Sequence, residues 1–373
     1  MIQSFISGIL LTLQMSNFIL CLAGVSFGII IGILPGLNAS VGVALLLPLT
    51  FRLPPVKGLI MLVAIYCGAI FSGSIPAILF RIPGTSSACA TIFDGHELAK
   101  KGRAGAAIGM AVLSSSLGGE LGILISVSAT FYLMKIALLF TPAEYFALGV
   151  FGLSIIASLA GGSYVKAIIS GSAGVFLSVV GIDQFIGVER FTFGHVELFS
   201  GFYFLPWCFG FFAGPQIIKQ LTMNIQELQV PRIRIHSLFP TFKEIKECIP
   251  TFIRSSILGT FIGILPGAGA TIAAFLGYDQ GKRWSKHPEQ FGTGIMEGVA
   301  APESANNAAT AGAMVPMLTL GIPGSGTTAV LLGALMIYGI SPGPLLLNKE
   351  PEIVYGIFGG MFVANILFLI IGI

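Results

Sequence analysis

The stretch Ser255 to Gly267, SSILGTFIGILPG, repeats an earlier one, Gly24 to Gly36, GVSFGIIIGILPG. Both end in Gly-Ile-Leu-Pro-Gly. In both a small residue recurs at every fourth position: Gly24, Gly28, Gly32 and Gly36, then Ser255, Gly259, Gly263 and Gly267. On a helix this spacing clears one face for close approach of another backbone, as membrane helices do where lipid supplies no hydrophobic drive. Proline then removes a backbone donor and glycine admits φ > 0, so each helix is expected to break at Pro35 and Pro266. Backbone freed inside a bilayer must be satisfied by protein or by a water-filled cavity.

A second motif is duplicated in the same order. Pro76 to Gly84 reads PAILFRIPG and Pro316 to Gly324 reads PMLTLGIPG, followed by Thr85, Ser86 and Ser87 or by Ser325, Thr327 and Thr328. Gly267 lies 231 positions after Gly36, and Pro323 lies 240 after Pro83. Two ordered motifs with matching internal spacing indicate internal repetition.

Composition sets the solvent. The chain is 55% hydrophobic and 9% charged, against about 25% charged in soluble domains, and its mean hydropathy is +0.93. It reads as an all-α polytopic membrane protein. A dispersed net charge of +3 gives no basic footprint for nucleic acid. Cys21, Cys67, Cys89, Cys208 and Cys248 form no CxxC and read as buried thiols. No HExxH or GxxxxGK[ST] occurs, and GAGATIAAFLG lacks the GxGxxG of a dinucleotide loop. With no charged n-region or cleavage site, residues 1–34 are expected to be mature membrane sequence. The apolar run to Ile373 is expected to belong to a longer protein.

Taken in order, residues 1–15 are expected at the interface and 17–34 as the first span. Leu37 to Phe51 is too short to cross about 30 Å of hydrocarbon and reads as a re-entrant limb. A span over 56–80 leads to Asp94, His96, Glu97, Lys100, Lys101 and Arg103, read as a solvated cytoplasmic loop by its basic cluster, with a substrate gate as the alternative. One long or broken span (105–140), two shorter ones (143–160, 164–181), a mixed-charge loop (183–197) and a span over 198–218 follow. The basic interval 219–254 again reads as cytoplasmic. Counting crossings between the two basic markers gives the repeats opposite topology, as in many secondary transporters. The expected organisation is a first repeat (1–140), intervening transmembrane helices (141–218), a cytoplasmic loop (219–254) and a second repeat (255–373). Its broken-helix hairpins would meet near the bilayer midplane.

The candidate chemistry lies at the breaks. Free N–H groups and the positive end of an interrupted helix hold a carboxylate, and unwound carbonyls hold Na⁺. The neighbouring polar side chains are Asn38, Ser40, Thr85 to Ser87, Thr271 and Ser325 to Thr328. In MEGVAAPESANNAATAGAMVPMLTLGIPGSGTTAV, Glu303, Asn306, Asn307 and Thr310 share a helix face. A carboxylate in a span marks an ion path or a structural pair. Glu303, Asn306 and Thr310 are therefore the candidate Na⁺ ligands, with a helix cap after Pro302 as the plain reading of Glu303. Glu120 and Glu144 are read as ion ligands or span-end structural groups. A further span is expected over 328–339.

These residues resemble the large membrane subunit of the tripartite tricarboxylate transporter family. The resemblance is carried by GILPGLNASVGVALLLPLTF, GSIPAILFRIPGTSSACATIFDGHELAKKGRAG, GxxEGVAAPESANNA, GIPGSGTTA and YGISPGPLL. It implies a multi-pass subunit of a cation-coupled symporter in the bacterial inner membrane. A periplasmic solute-binding protein would deliver a di- or tricarboxylate such as citrate, a small transmembrane subunit would assist, and no cofactor beyond Na⁺ is expected. The implied substrate site maps onto Pro35, Gly36, Asn38 and Ser40; Gly84, Thr85, Ser86 and Ser87; Gly267, Gly269 and Thr271; Asn306 and Asn307; and Gly324, Ser325, Thr327 and Thr328. The readings set against it are an intramembrane enzyme using Glu303 or a serine, and a scaffold subunit with no substrate site.

Overall fold

A computed structural model describes residues 2–34, 37–139, 164–182, 188–199, 201–202 and 239–372, with isolated positions between 141 and 150 and at 218. The chain forms two compact units, Met1–Leu139 with Phe212–Ile373, and Phe140–Phe211. The described part of the first unit is helical: α1 (Ile2–Leu13), α2 (Met15–Ile33), α3 (Ala39–Thr50), α4 (Pro55–Ser72), α5 (Ser74–Phe80), α6 (Ile92–Lys100) and α7 (Ala104–Ala137). The second unit contributes α8 (Tyr164–Ser178) and a small antiparallel pair, β1 (Gly181–Ile182) with β2 (Glu189–Arg190). The first unit resumes with α9 (Phe242–Ile264), α10 (Gly269–Trp284), α11 (Glu297–Leu320), α12 (Gly326–Ile337), α13 (Leu346–Lys349) and α14 (Pro351–Ile371). Among the described residues, four helical stretches are long and apolar enough to cross a membrane: Met15–Ile33, Pro55–Phe80, Ala104–Ala137 and Pro351–Ile371.

The breaks form as proline chemistry requires. Leu34 and Leu265, each just before a proline, leave the helix at φ −79°, ψ 112° and φ −72°, ψ 120°, because the following ring disfavours the α region. Each residue's N–H falls back three positions, to Ile31 and Ile262. The second pair of breaks also matches. α5 ends on Arg81 and α11 on Gly321, both left-handed, and each cap N–H bonds the carbonyl of Pro76 or Pro316.

Packing recurs at the same offsets. A Cβ on Gly28 would stand 2.4 Å from the Ile65 carbonyl, and one on Gly259 would stand 2.1 Å from the Ala305 carbonyl. Gly32 meets Ala69 as Gly263 meets Ala309. Within each pair the first residues are 231 positions apart and the second 240, the offsets of the motifs themselves. α4 and α11 are thus matching central helices. α11 is enclosed by glycine faces on three sides: Gly118 and Gly122 of α7, Gly259 and Gly263 of α9, and Gly277 and Gly281 of α10. Its alanines let these backbones close in, and every residue from Gly298 to Thr319 is buried.

Several expectations change. The stretch expected at the interface contains α1, which packs along α14 through Gly8 and Gly359, with Phe5 edge-on to Phe362 at 5.8 Å. The expected span over 328–339 is α12, whose 12 residues reach about 18 Å, too short, like α3, to cross about 30 Å of hydrocarbon. Residues 242–254 belong to α9, begun by a capping box between Thr241 and Glu244, and are not loop. α7 runs unbroken for 34 residues. Asp94 is fully buried, where solvent exposure was expected. Its carboxylate accepts from the N–H groups of Gly292, Gly294 and Ile295 and from the Tyr278 hydroxyl, tying α6 to the loop before α11. Cys21, Cys67 and Cys248 are buried free thiols and Cys89 is partly exposed. Most of the expected span 143–160 and nearly all of 198–218, with Cys208, Pro35 and Gly36, lie outside the described residues.

Candidate functional site

The helix interruptions close into one ring. Gly84 lies against the last turn of α2, just before the first break, since a Cβ there would stand 2.0 Å from the Gly32 carbonyl. Ser86 Oγ, just past the second break, is 2.8 Å from Thr271 Oγ1 in the first turn of α10. A Cβ on Gly269 would stand 3.6 Å from Ser325 Cβ, joining the third break to the fourth. Thr327 Oγ1 at the start of α12 is 3.0 Å from Ser40 Oγ at the start of α3, which returns the ring to its beginning.

The N-terminal turns of α3 and α12 therefore abut. Such turns leave N–H groups without intrahelical partners and carry the positive end of the helix dipole. The side chains divide into two sets. Asn38 caps α3 by accepting from the Val41 N–H at 3.0 Å, and Ser325 with Thr328 forms a capping box on α12. Ser40, Thr85, Ser87 and Thr327 are buried and bond in two separate pairs, Ser40 with Thr327 and Thr85 Oγ1 with Ser87 Oγ at 3.0 Å. Gly267 and Gly269 take φ 78° and 64°, which lets the third break turn tightly into α10. Gly324 packs on Ala313, where a Cβ would come within 2.7 Å of Cα.

The polar face of α11 reaches the ring through Asn306, whose Nδ2 donates to the Ser87 carbonyl at 3.3 Å. Asn307 Nδ2 donates to Asn306 Oδ1 at 2.6 Å and to the Glu303 carbonyl at 3.1 Å. Asn307 Oδ1 is a buried acceptor with no partner among the described residues. Glu303, fully buried within α11, accepts from Thr91 Oγ1 and, at 3.0 Å, from Ser115 Oγ. It lies inside the helix, so the cap reading fails. Thr310 spends its hydroxyl on the Asn307 carbonyl at 2.6 Å. A cluster of three or more His, Cys, Asp or Glu side chains is absent among the described residues.

Three contributors escaped the sequence reading: Thr91, Ser115 and Tyr66, whose hydroxyl is 3.3 Å from Ser325 Oγ. The run Ser114-Ser115-Ser116 inside an apolar helix was the available signal. Glu120 sits in mid-helix and not at a span end. Both its carboxylate oxygens are buried without a partner among the described residues. Glu144 accepts locally from the Thr141 N–H at 2.7 Å.

Comparison with known proteins adds a decisive finding: the model of the tripartite tricarboxylate transporter TctA family matches residues 18–373. The chain belongs to that family. This TctA-family chain is 42% identical over 355 residues to an uncharacterized 52.8 kDa protein of the TAR-I ttuC' 3' region in Agrobacterium vitis, covering 95% of the chain and 70% of the relative. It is 44% identical over 113 residues to an uncharacterized protein of the TAR-II ttuC' 3' region in Agrobacterium vitis, covering 30% of the chain and 47% of that relative. No solved structure matches it. As a TctA-family member it is a multi-pass membrane subunit of a tripartite transport system.

Proposed function

We propose that the ring of breaks binds a di- or tricarboxylate such as citrate and couples its import to Na⁺. In this reading the two repeats have inverted topology and meet near the midplane of the bacterial inner membrane. A periplasmic solute-binding protein supplies the substrate and a small transmembrane subunit completes the system. The observation that carries the reading is the abutment of the α3 and α12 N-terminal turns through Ser40 and Thr327. Free N–H groups and paired dipole ends favour an anion, and hydroxyls that bond one another can exchange those bonds for bonds to a carboxylate without stranding a buried donor. For the cation, Glu303, Asn306, Asn307 and Thr310 offer hard oxygen donors along one face of α11, with Asn307 Oδ1 uncommitted. Asn306 joins the two sites, since its side chain spans from Asn307 to the Ser87 carbonyl.

Counterflow of labelled citrate in proteoliposomes, with and without Na⁺ and with the partner proteins present, tests this. Asn306→Ala is expected to lower uptake at least about tenfold while the protein still inserts, a loss of roughly 1.4 kcal/mol or more. Glu303→Gln is expected to weaken the Na⁺ dependence more than the citrate dependence. Wild-type uptake and wild-type Na⁺ response in both variants would overturn the site.

A further inference from the structure

A cavity of about 910 Å³ lies at the ends of α9 and α10 remote from the breaks. Five Lys and Arg side chains on its wall face three carboxylates, an excess of two positive charges. Glu244 accepts twice from Arg103 Nη2, at 2.8 and 3.0 Å, and also caps α9. Glu297 accepts from Thr251 Oγ1 at 3.0 Å and from Ser285 Oγ. Glu247 lies 3.9 Å from Lys243 Nζ. Three cations on the cavity wall remain without a carboxylate among the described residues: Lys246, Arg254 and Lys286.

Arg254 is held ready. Its guanidinium donates to the Pro250 carbonyl at 3.1 Å and to Thr251 Oγ1 at 3.4 Å, and lies 5.4 Å from the centre of the Trp284 ring. Trp284 is 66% exposed at the end of α10. The 16 residues of α10 span about 24 Å. With the breaks near the midplane, a placement that rests on the proposed function, this puts Trp284 at headgroup depth, where tryptophan is favoured.

We propose that this cavity holds the phosphate of an anionic phospholipid between Lys246, Arg254 and Lys286, with Trp284 against the lipid's glycerol end. Basic pockets between membrane helices on the cytoplasmic side recognise such headgroups, each cation near the surface adding attraction. The lipid would clamp the outer ends of α9 and α10 while their inner ends form the third break.

The test uses the full-length chain in detergent, with lipid retention read by native mass spectrometry. Wild type is expected to retain phosphatidylglycerol over phosphatidylcholine, and the double variant Lys246→Gln with Lys286→Gln to lose that preference about tenfold. Inorganic phosphate that displaces phosphatidylglycerol and stabilises wild type equally well would keep the phosphate site but assign it a soluble ligand. Equal retention of both lipids, or of phosphatidylglycerol by both proteins, would overturn it. A second measurement needs no charge substitution: with Trp207→Phe, brominated phosphatidylglycerol is expected to quench Trp284 more than brominated phosphatidylcholine. Equal quenching would count against the site. Uptake is not the readout, so loss of the lipid site would leave the transport proposal standing.

Discussion

Arg81 sits at φ 58° at the end of α5, where Gly321 takes φ 70° at the corresponding end of α11. The two caps have the same hydrogen bonds, but only one residue adopts the left-handed region without steric cost. A Cβ on Gly321 would meet Pro342 at 3.8 Å, an ordinary contact with no clash, so Gly321→Ala isolates the backbone term. It is expected to cost about 1 kcal/mol, the left-handed penalty less the unfolded-state entropy that alanine removes. Arg81→Gly is expected to be neutral or mildly stabilising. Thermal unfolding of the purified protein checks both, and equal destabilisation by the two changes would contradict the cap assignment. The repeats differ more at Tyr66 and Asn306, which are 240 positions apart and face a break in the opposite repeat, Ser325 and Ser87 respectively. Around Tyr66, Val63, Cys67 and Ile70 stand where α11 has Glu303, Asn307 and Thr310. The scaffold is duplicated, whereas the polar face exists once.

α11 shows what small residues do for a helix. Its alanines meet glycines on α7, α9 and α10, so backbones approach to distances that any β-carbon would block. Dispersion over such close contacts stands in for the hydrophobic drive that lipid removes. Gly259→Val would place its Cβ 2.1 Å from the Ala305 carbonyl. Since backbone cannot yield as a flexible side chain can, the loss is expected at or above the top of the 1–3 kcal/mol range for overpacking. Gly174→Val in α8, with nothing near its would-be Cβ, should change stability by less than about 0.5 kcal/mol. Unfolding of both variants in one detergent is the measurement, and similar losses would argue against the packing account. Gly324 belongs to this class, since its packing against Ala313 leaves no room for a side chain. Substitution there tests folding before it tests binding.

Across the whole molecule, two of the hydroxyl contacts between repeats start from matching positions, Ser40 and Thr271. Ser40 of the first repeat meets Thr327 of the second, and Thr271, 231 positions after Ser40, meets Ser86 of the first. If transport requires the ring to open, a covalent link across it should stop uptake. In a background without native cysteines, Ser40→Cys with Thr327→Cys is expected to abolish uptake on oxidation and regain it on reduction. Each single variant should transport under both conditions. Full uptake by the oxidised, cross-linked protein would show that α3 and α12 do not separate.

How much of this could be read from the residues depends on the range of the interaction. Proline and glycine act on their own backbone, so Leu34-Pro35, Leu265-Pro266 and the Ile-Pro-Gly corners announced the breaks. The 55% hydrophobic content set the membrane class. The 12-residue limb α3 was legible from its length, and the same limit applies to 328–339: twelve residues are too few to span, and α12 is 12 residues long. The fourfold spacing of small residues marked a contact face without naming what lies on it. Which helix fills each glycine face, why Asp94 is buried, and that Thr91 and Ser115 hold Glu303 are matters of atoms separated by long stretches of chain. No local rule fixes such pairings. They were decided only when the helices packed, because close approach of backbone at one end of a helix dictates which side chains meet at the other.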